Sequence, residues 1–177
     1  ATLDHPALRK ISFTGSTRVG PILMERAART YTRRGLEVGG NAPVLIFPDS
    51  NIDHVSKGAV ATKYRNAGQV CNGPQRFFVH EQVLNEFVDK VVPQVEALQV
   101  GNGLERETEV GPIINAIQRD RIENLVAEDV SRGVKVVAGG GRPSGLDKGY
   151  FYQPTVLMNA TPEHRIYGEE IFGPVMP

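Results

Sequence analysis

One cysteine is present in 177 residues, so the chain cannot close an internal disulfide, a composition that suits a reducing compartment. An excess of charge of either sign is also missing: 20 basic residues meet 20 acidic ones. That balance argues against a nucleic-acid arm or a membrane-surface patch as the main business of the chain. No apolar run approaches the roughly 18 residues that cross a bilayer, and no charged-then-apolar leader opens the sequence. His5, His54, His80 and His164 stand apart, with no second thiol, which speaks against a metal centre. There is no internal repeat, no low-complexity tract and no G-x-G-x-x-G fingerprint. What these absences leave is a globular, cytoplasmic chain long enough for one domain, or one domain and part of another. It opens Ala1-Thr2-Leu3-Asp4 and closes Val175-Met176-Pro177 with no helix or strand to finish it, and so reads as a piece of something longer.

What is present is organised around Gly68-Gln69-Val70-Cys71-Asn72-Gly73-Pro74. A thiol between two glycines and just ahead of a proline belongs to a turn, and turns on a rigid α/β frame are where reactive groups are carried. Taken alone, Cys71 reads either as a nucleophile or as a small buried apolar residue. Lys10 to Gly15 reads as a strand breaking at a glycine, with Ser16 and Thr17 offering oxygens to cap a helix running to about Arg29. Pro21 falls in its opening turns, where it is tolerated. Strand, Gly-Ser-Thr and helix is a geometry that holds a phosphate on free backbone N–H groups, and it is equally ordinary packing. Further on, Gly35 to Asn41 places Glu37 in an apolar, glycine-rich setting ahead of a run, 42–47, that reads as a buried parallel strand. Glu37 is then either a partly desolvated carboxylate suited to general-base work or a strand-end acid satisfied by a backbone donor.

Ser50, Asn51 and Asp53 introduce a helix over about 52–66, with Val55, Ala59 and Val60 inward and Gly68 in the left-handed position that ends it. Cys71 lies past that C-terminal end, where the helix dipole disfavours a thiolate. Residues 77–79 form a strand. The stretch 83–98 is an amphipathic helix that Pro93 should bend or end. A helix over 117–132 turns Ile122, Leu125, Val126 and Val130 inward, 134–138 is a strand, and 150–158 is extended. Helices alternating with strands predict an α/β protein built on a parallel, helix-flanked sheet. The closing Gly168–Val175 segment, taken alone, reads as a solvated turn carrying two acids and an exposed Phe172.

Four of these stretches, in this order, resemble the aldehyde dehydrogenase superfamily: Phe13–Gly20, Leu36–Pro43, Gly68–Cys71 and Glu169–Pro174. The resemblance covers essentially the whole chain but only the central portion of a full-length member. Asn41-Ala42-Pro43 and Arg65-Asn66-Ala67-Gly68 look most like the semialdehyde branch, including its succinate-semialdehyde members. It implies that residues 1–38 are the last strand and helix of a Rossmann-like NAD(P)-binding domain. Residues 39–177 would be a catalytic thiol domain, incomplete at its C-terminus. Cys71 would attack an aldehyde carbon, its own N–H would steady the oxyanion, and Glu37 would activate the water that releases the acid. Thr14, Gly15, Ser16, Val19, Val38, Gly39, Glu170 and Phe172 would meet NAD or NADP. The full-length parent would be a homodimer or homotetramer acting on a small aldehyde.

Several features depart from the pattern or fall outside the chain. Val38 replaces a more usual leucine, and Pro21 and Gly35 are unusual. The side-chain oxyanion donor and the lysine for the adenosine ribose would precede this chain. The first residues would therefore expose unpaired sheet edges, and the isolated piece is expected to be inactive. Rival readings are a coenzyme A-acylating relative, against which Glu37 speaks, a non-catalytic binding protein, and a cysteine hydrolase pairing Cys71 with His80 or His164.

Overall fold

Short β-branched strands separated by helices with one apolar face set the architecture, and the computed structural model describes residues 2–177 of it. The chain forms two compact units, one ending at Gly40 and one running from Asn41 to Pro177. In the first, β1 (Lys10–Gly15) and β2 (Arg33–Val38) pair in parallel, from Lys10 opposite Arg33 to Gly15 opposite Val38. Helix α1 (Val19–Ala28) makes the crossover that a parallel pair requires. The cap expected from Ser16 and Thr17 is not made: Arg18 occupies the cap position without a side-chain bond. The Ser16 carbonyl instead accepts from the Val19 N–H at 3.0 Å, while the Thr17 hydroxyl donates to the Gly39 carbonyl at 3.4 Å. Pro21 is the third helical residue, where its missing N–H would have had no partner in the helix.

The second unit carries β3 (Pro43–Ile46), α2 (Ile52–Tyr64), β4 (Arg76–Val79), α3 (Glu81–Ala97), α4 (Ala116–Ser131), β5 (Lys135–Ala138), β6 (Thr155–Met158), α5 (Arg165–Gly168) and β7 (Val175–Met176). Strands β3 and β4 pair in parallel, as do β6 and β7, whereas β5 runs antiparallel to β6. The α/β class stands, with β5 as the antiparallel exception. The core joins Tyr64 from α2, Phe87 and Val91 from α3, Ile122 and Leu125 from α4, and Ile171 and Val175 from the end of the chain.

Four local expectations change. The run 42–47 is not buried throughout: Ile46 is, but Leu45 is 61% and Phe47 57% exposed, so one face of β3 is uncovered by this chain. Helix α3 continues through Pro93, which is exposed, while Val91 and Val95 on either side are buried. Packing of that apolar face outweighs the lost backbone bond. On α4 it is Asp129, not Val130, that turns inward, because its Oδ2 accepts the Ile166 N–H at 2.8 Å. Finally, Val175 and Met176 form a strand, and Ile171, Gly173 and Pro174 before it are buried, so the closing segment is no solvated turn.

Candidate active site

In the first unit, the strand register gathers one group of candidates. Thr14 lies opposite Glu37 and Gly15 opposite Val38 at the C-terminal ends of β1 and β2, and Thr17 reaches back to Gly39. Ser16 follows in the turn and Val19 opens α1. A Cβ at Gly15 would stand 2.4 Å from the tip of the Phe13 ring, which would have to turn aside. Glu37 is exposed, so the partial desolvation expected of it is not supplied by its own unit. Strand β2 itself was hidden in the sequence, where two arginines and Gly35 dilute its β pattern.

In the second unit, α2 stops at Tyr64 and the chain enters a turn with three successive left-handed residues. These are Asn66 (φ 52°), Ala67 (φ 54°) and Gly68 (φ 69°). Asn and Gly adopt this conformation readily; Ala67 does so at a cost of about 1 kcal/mol. Close packing compels it: a Cβ on Gly68 would fall 2.0 Å from the carbonyl oxygen of Gly173. Gln69 fastens the turn, accepting from the Ile114 N–H at 2.9 Å and donating to the Asn66 carbonyl at 3.2 Å. Cys71 is held exposed just beyond, within a turn, and not as a buried apolar residue.

The same contact joins the Cys71 turn to the segment bearing Glu170 and Phe172. Phe172 is itself left-handed (φ 51°) and half-buried. Helix α4 clamps this segment from one side. Gln118 donates to the carbonyls of Ile171 and Phe172, both at 3.1 Å, and Arg121 donates to those of Ile171 (3.0 Å) and Glu170 (2.9 Å). Glu170 Oε1 is buried without a hydrogen-bond partner. Lys63 on α2 is 1% exposed, its ammonium 3.4 Å from Oε1 of the equally buried Gln75. Burial pushes the Lys63 pKa down to about 7, and the Glu170 carboxylate acts in the opposite direction. Gln69, Gln118, Arg121 and Lys63 were not singled out from sequence. For Lys63 a signal existed, since it falls four residues after Ala59 and three after Val60 on the inner face of α2.

Both histidines of the hydrolase reading have structural employment. His80 caps α3, accepting from the Gln82 N–H at 3.3 Å, and His164 Nδ1 accepts from the Thr161 N–H at 3.0 Å. Among the described residues no group of three or more His, Cys, Asp or Glu could hold a metal ion. No helix among them is long and apolar enough to cross a membrane. An apolar cavity of about 430 Å³ opens beside β3, β4 and β6; His80 lines it, but neither Cys71, Glu37 nor any of the residues expected to meet the cofactor does.

Fold and site together define an α/β protein that presents one exposed thiol on a strained turn, braced by a second strained turn carrying a carboxylate and an aromatic ring. The chain belongs to the aldehyde dehydrogenase family, whose model matches residues 1–177. It is 46% identical over 175 residues to a succinate-semialdehyde dehydrogenase of Paenarthrobacter nicotinovorans, covering 99% of this chain and 38% of that protein. A glutarate-semialdehyde dehydrogenase of Pseudomonas aeruginosa is 41% identical, with 98% of this chain and 36% of the relative covered. Among solved structures, a succinate-semialdehyde dehydrogenase from Burkholderia pseudomallei superposes with a TM-score of 0.95 at 42% identity, over 99% of this chain and 36% of that one. The NAD+ complex of an aldehyde dehydrogenase from Bacillus cereus gives 0.93 at 36% identity, over 99% and 36%. The chain thus spans about a third of the length of the relatives it matches.

Proposed function

We propose that this chain is the central part of an NAD(P)-dependent dehydrogenase that oxidises a semialdehyde to the corresponding dicarboxylic acid, with Cys71 as nucleophile. The observation that carries the reading is the exposed Cys71 thiol on a turn locked against the Glu170–Phe172 segment, in a chain whose every residue falls within the family match. The Cys71 thiolate adds to the aldehyde carbon, forming a C–S bond and an oxyanion that the backbone N–H of Cys71 steadies. A dinucleotide held by this site would supply the acceptor for the hydride of this adduct. Cys71 then holds the acyl group as a thioester. Glu37 takes a proton from water as it attacks, and the acid departs with Cys71 restored.

Two features of this chain fit a dinucleotide. Gly15 is a position that a Cβ would fill, next to a helix start with no side-chain cap. Glu170 presents a buried carboxylate oxygen with no partner, suited to accept from a ribose hydroxyl. Thr14, Gly15, Ser16, Val19, Val38, Gly39, Glu170 and Phe172 would hold the cofactor. This assigns residues 1–38 to the cofactor-binding domain and 39–177 to the thiol domain.

Two relatives named above are semialdehyde dehydrogenases, and such substrates carry a carboxylate at the far end. Arg65, exposed at the start of the Cys71 turn, offers a cation for it. The test is a substrate panel on the full-length protein. Cys71→Ala should abolish oxidation while leaving cofactor binding intact. Arg65→Gln should raise KM for semialdehydes about 10- to 100-fold, the value of a charge-assisted hydrogen bond, and leave neutral aldehydes unaffected. Turnover that survives in Cys71→Ala would end the proposal; equal KM changes for charged and neutral aldehydes would remove the semialdehyde assignment.

A further inference from the structure

Asparagine precedes glycine at two places in this chain, Asn72-Gly73 and Asn102-Gly103; every other asparagine is followed by a residue that carries a Cβ. Such a pair is chemically labile, because a glycine nitrogen brings no side chain of its own against the amide carbon it can attack. Asn72 directly follows Cys71. Its side chain is exposed and makes no hydrogen bond among the described residues, so nothing restrains the amide from the Gly73 nitrogen. Asn102 is engaged instead: its Oδ1 accepts from the Leu104 N–H at 3.1 Å and its carbonyl from the Glu105 N–H at 2.9 Å. The Gly73 N–H donates to the Val70 carbonyl at 3.1 Å, a single turn bond that has to open before the nitrogen attacks. The main chain around Cys71 is fastened on both sides of this turn. Upstream, Gly68 lies against the Gly173 carbonyl and Gln69 accepts from the Ile114 N–H. Downstream, the N–H groups of Gln75 and Arg76 both donate to the Ala42 carbonyl, at 2.9 and 3.1 Å. A change of backbone length between these anchors has to be absorbed by residues 70–74.

We propose that Asn72-Gly73 is a self-modification site, at which spontaneous conversion of the asparagine to isoaspartate retires the thiol beside it. The inference rests on the reading of Cys71 as the nucleophile. The Gly73 nitrogen forms a bond to Cγ of Asn72 as the Cγ–Nδ2 bond breaks, and ammonia leaves with the proton that Gly73 gives up. Water then opens the five-membered imide: its hydroxyl joins one of the two carbonyl carbons, and its proton goes to the nitrogen released. Opening at Cγ yields aspartate. Opening at the main-chain carbon yields isoaspartate, in which the backbone runs through an additional methylene. No oxidant or reductant is consumed. The water that releases the acid in the proposed reaction has to reach this same turn. Either product sets a carboxylate next to the thiolate and to the oxyanion formed on its adduct, and like charges there raise the barrier. Isoaspartate also displaces the Cys71 N–H, the donor assigned to that oxyanion, because the anchored chain cannot pass the extra length along.

In the experiment, the full-length protein is held with a thiol reductant in mildly alkaline and in mildly acidic buffer. At intervals it is assayed for aldehyde oxidation, then digested for mass spectrometry and for enzymatic methyl labelling of isoaspartate. Isoaspartate should accumulate at position 72, faster in the alkaline sample, where the Gly73 amide gives up its proton more readily. Activity should fall in proportion to the converted fraction of Asn72, irrespective of Asn102, which reports the same chemistry away from the thiol. The KM of the remaining activity should not move, since converted molecules drop out and the others are intact. Asn72→Ser, which has no amide to lose, should hold its activity over the same interval. Asn72→Asp should fold normally by circular dichroism and start with kcat about tenfold lower. An Asn72 that stays unconverted would overturn the inference, as would full activity after its conversion or an Asn72→Ser that decays as fast as wild type. Turnover in Cys71→Ala would instead dismiss the nucleophile reading, and the mass measurement at position 72 tells the two failures apart.

Discussion

At the scale of single residues, the chain concentrates strain where its thiol sits. Asn66, Ala67 and Gly68 on one turn and Phe172 on the other all have positive φ, and the two turns touch at Gly68 and Gly173. Gly68→Ala would place a Cβ against a backbone carbonyl that cannot swing aside. It should lower stability by about 2 kcal/mol or more and cost activity together with it, seen as a reduced urea midpoint. Lys63 makes a second, independent prediction. Below pH 7 it is protonated in both folded and unfolded chains, and its burial weighs on the fold in full. Between about 7 and its ordinary value of 10.5 the folded protein sheds the proton while the unfolded chain keeps it, so stability rises with pH. The melting temperature of Lys63→Met should exceed that of wild type at pH 7, and the gap should shrink by pH 9.5. A gap that widens with pH would show that Lys63 is not the buried cation described.

At the scale of elements, helices were readable where their pattern was strong and misjudged where a polar group had a job inside. The α3 stripe of Val83, Phe87, Val91 and Val95 is plain in the sequence and survives Pro93. Asp129 was not readable, because its inward turn serves the amide of Ile166, 37 positions further on. Asp129→Ala should leave that fully buried N–H without an acceptor and cost about 1–3 kcal/mol. Loosened α5 and β7 should appear as faster amide exchange at Ile166 and Val175. Unaltered exchange there would mean that the bond does not hold this segment. Gln69, Gln118 and Arg121 belong with Asp129: each secures a carbonyl or amide distant in sequence, and no local periodicity announces such a role.

At the scale of the whole molecule, the chain forms two compact units, with Glu37 on the first and Cys71 on the second. The first offers a two-stranded sheet, less than the three or so strands that stand alone in water. The chain spans only about a third of its relatives' length. The 177-residue chain by itself should accordingly oxidise no aldehyde with either NAD or NADP, checked by reduced-cofactor absorbance at high protein concentration. Measurable turnover would show that one third of the family's length suffices for the chemistry.

The sequence by itself determined the α/β class, the helix faces, the turn around Cys71 and the family. Those follow from short-range rules of glycine, proline and apolar spacing, and from four motifs in a fixed order. Only the tertiary structure decided that Gly68 must be glycine because Gly173 lies upon it, that Glu170 and Phe172 are seated in the core's edge and not in solvent, and that Lys63 is buried. The reason is physical: a residue's own conformational preference is written in its neighbours along the chain, whereas exclusion of a Cβ, loss of water and the field of a distant charge depend on what packs against it across the fold.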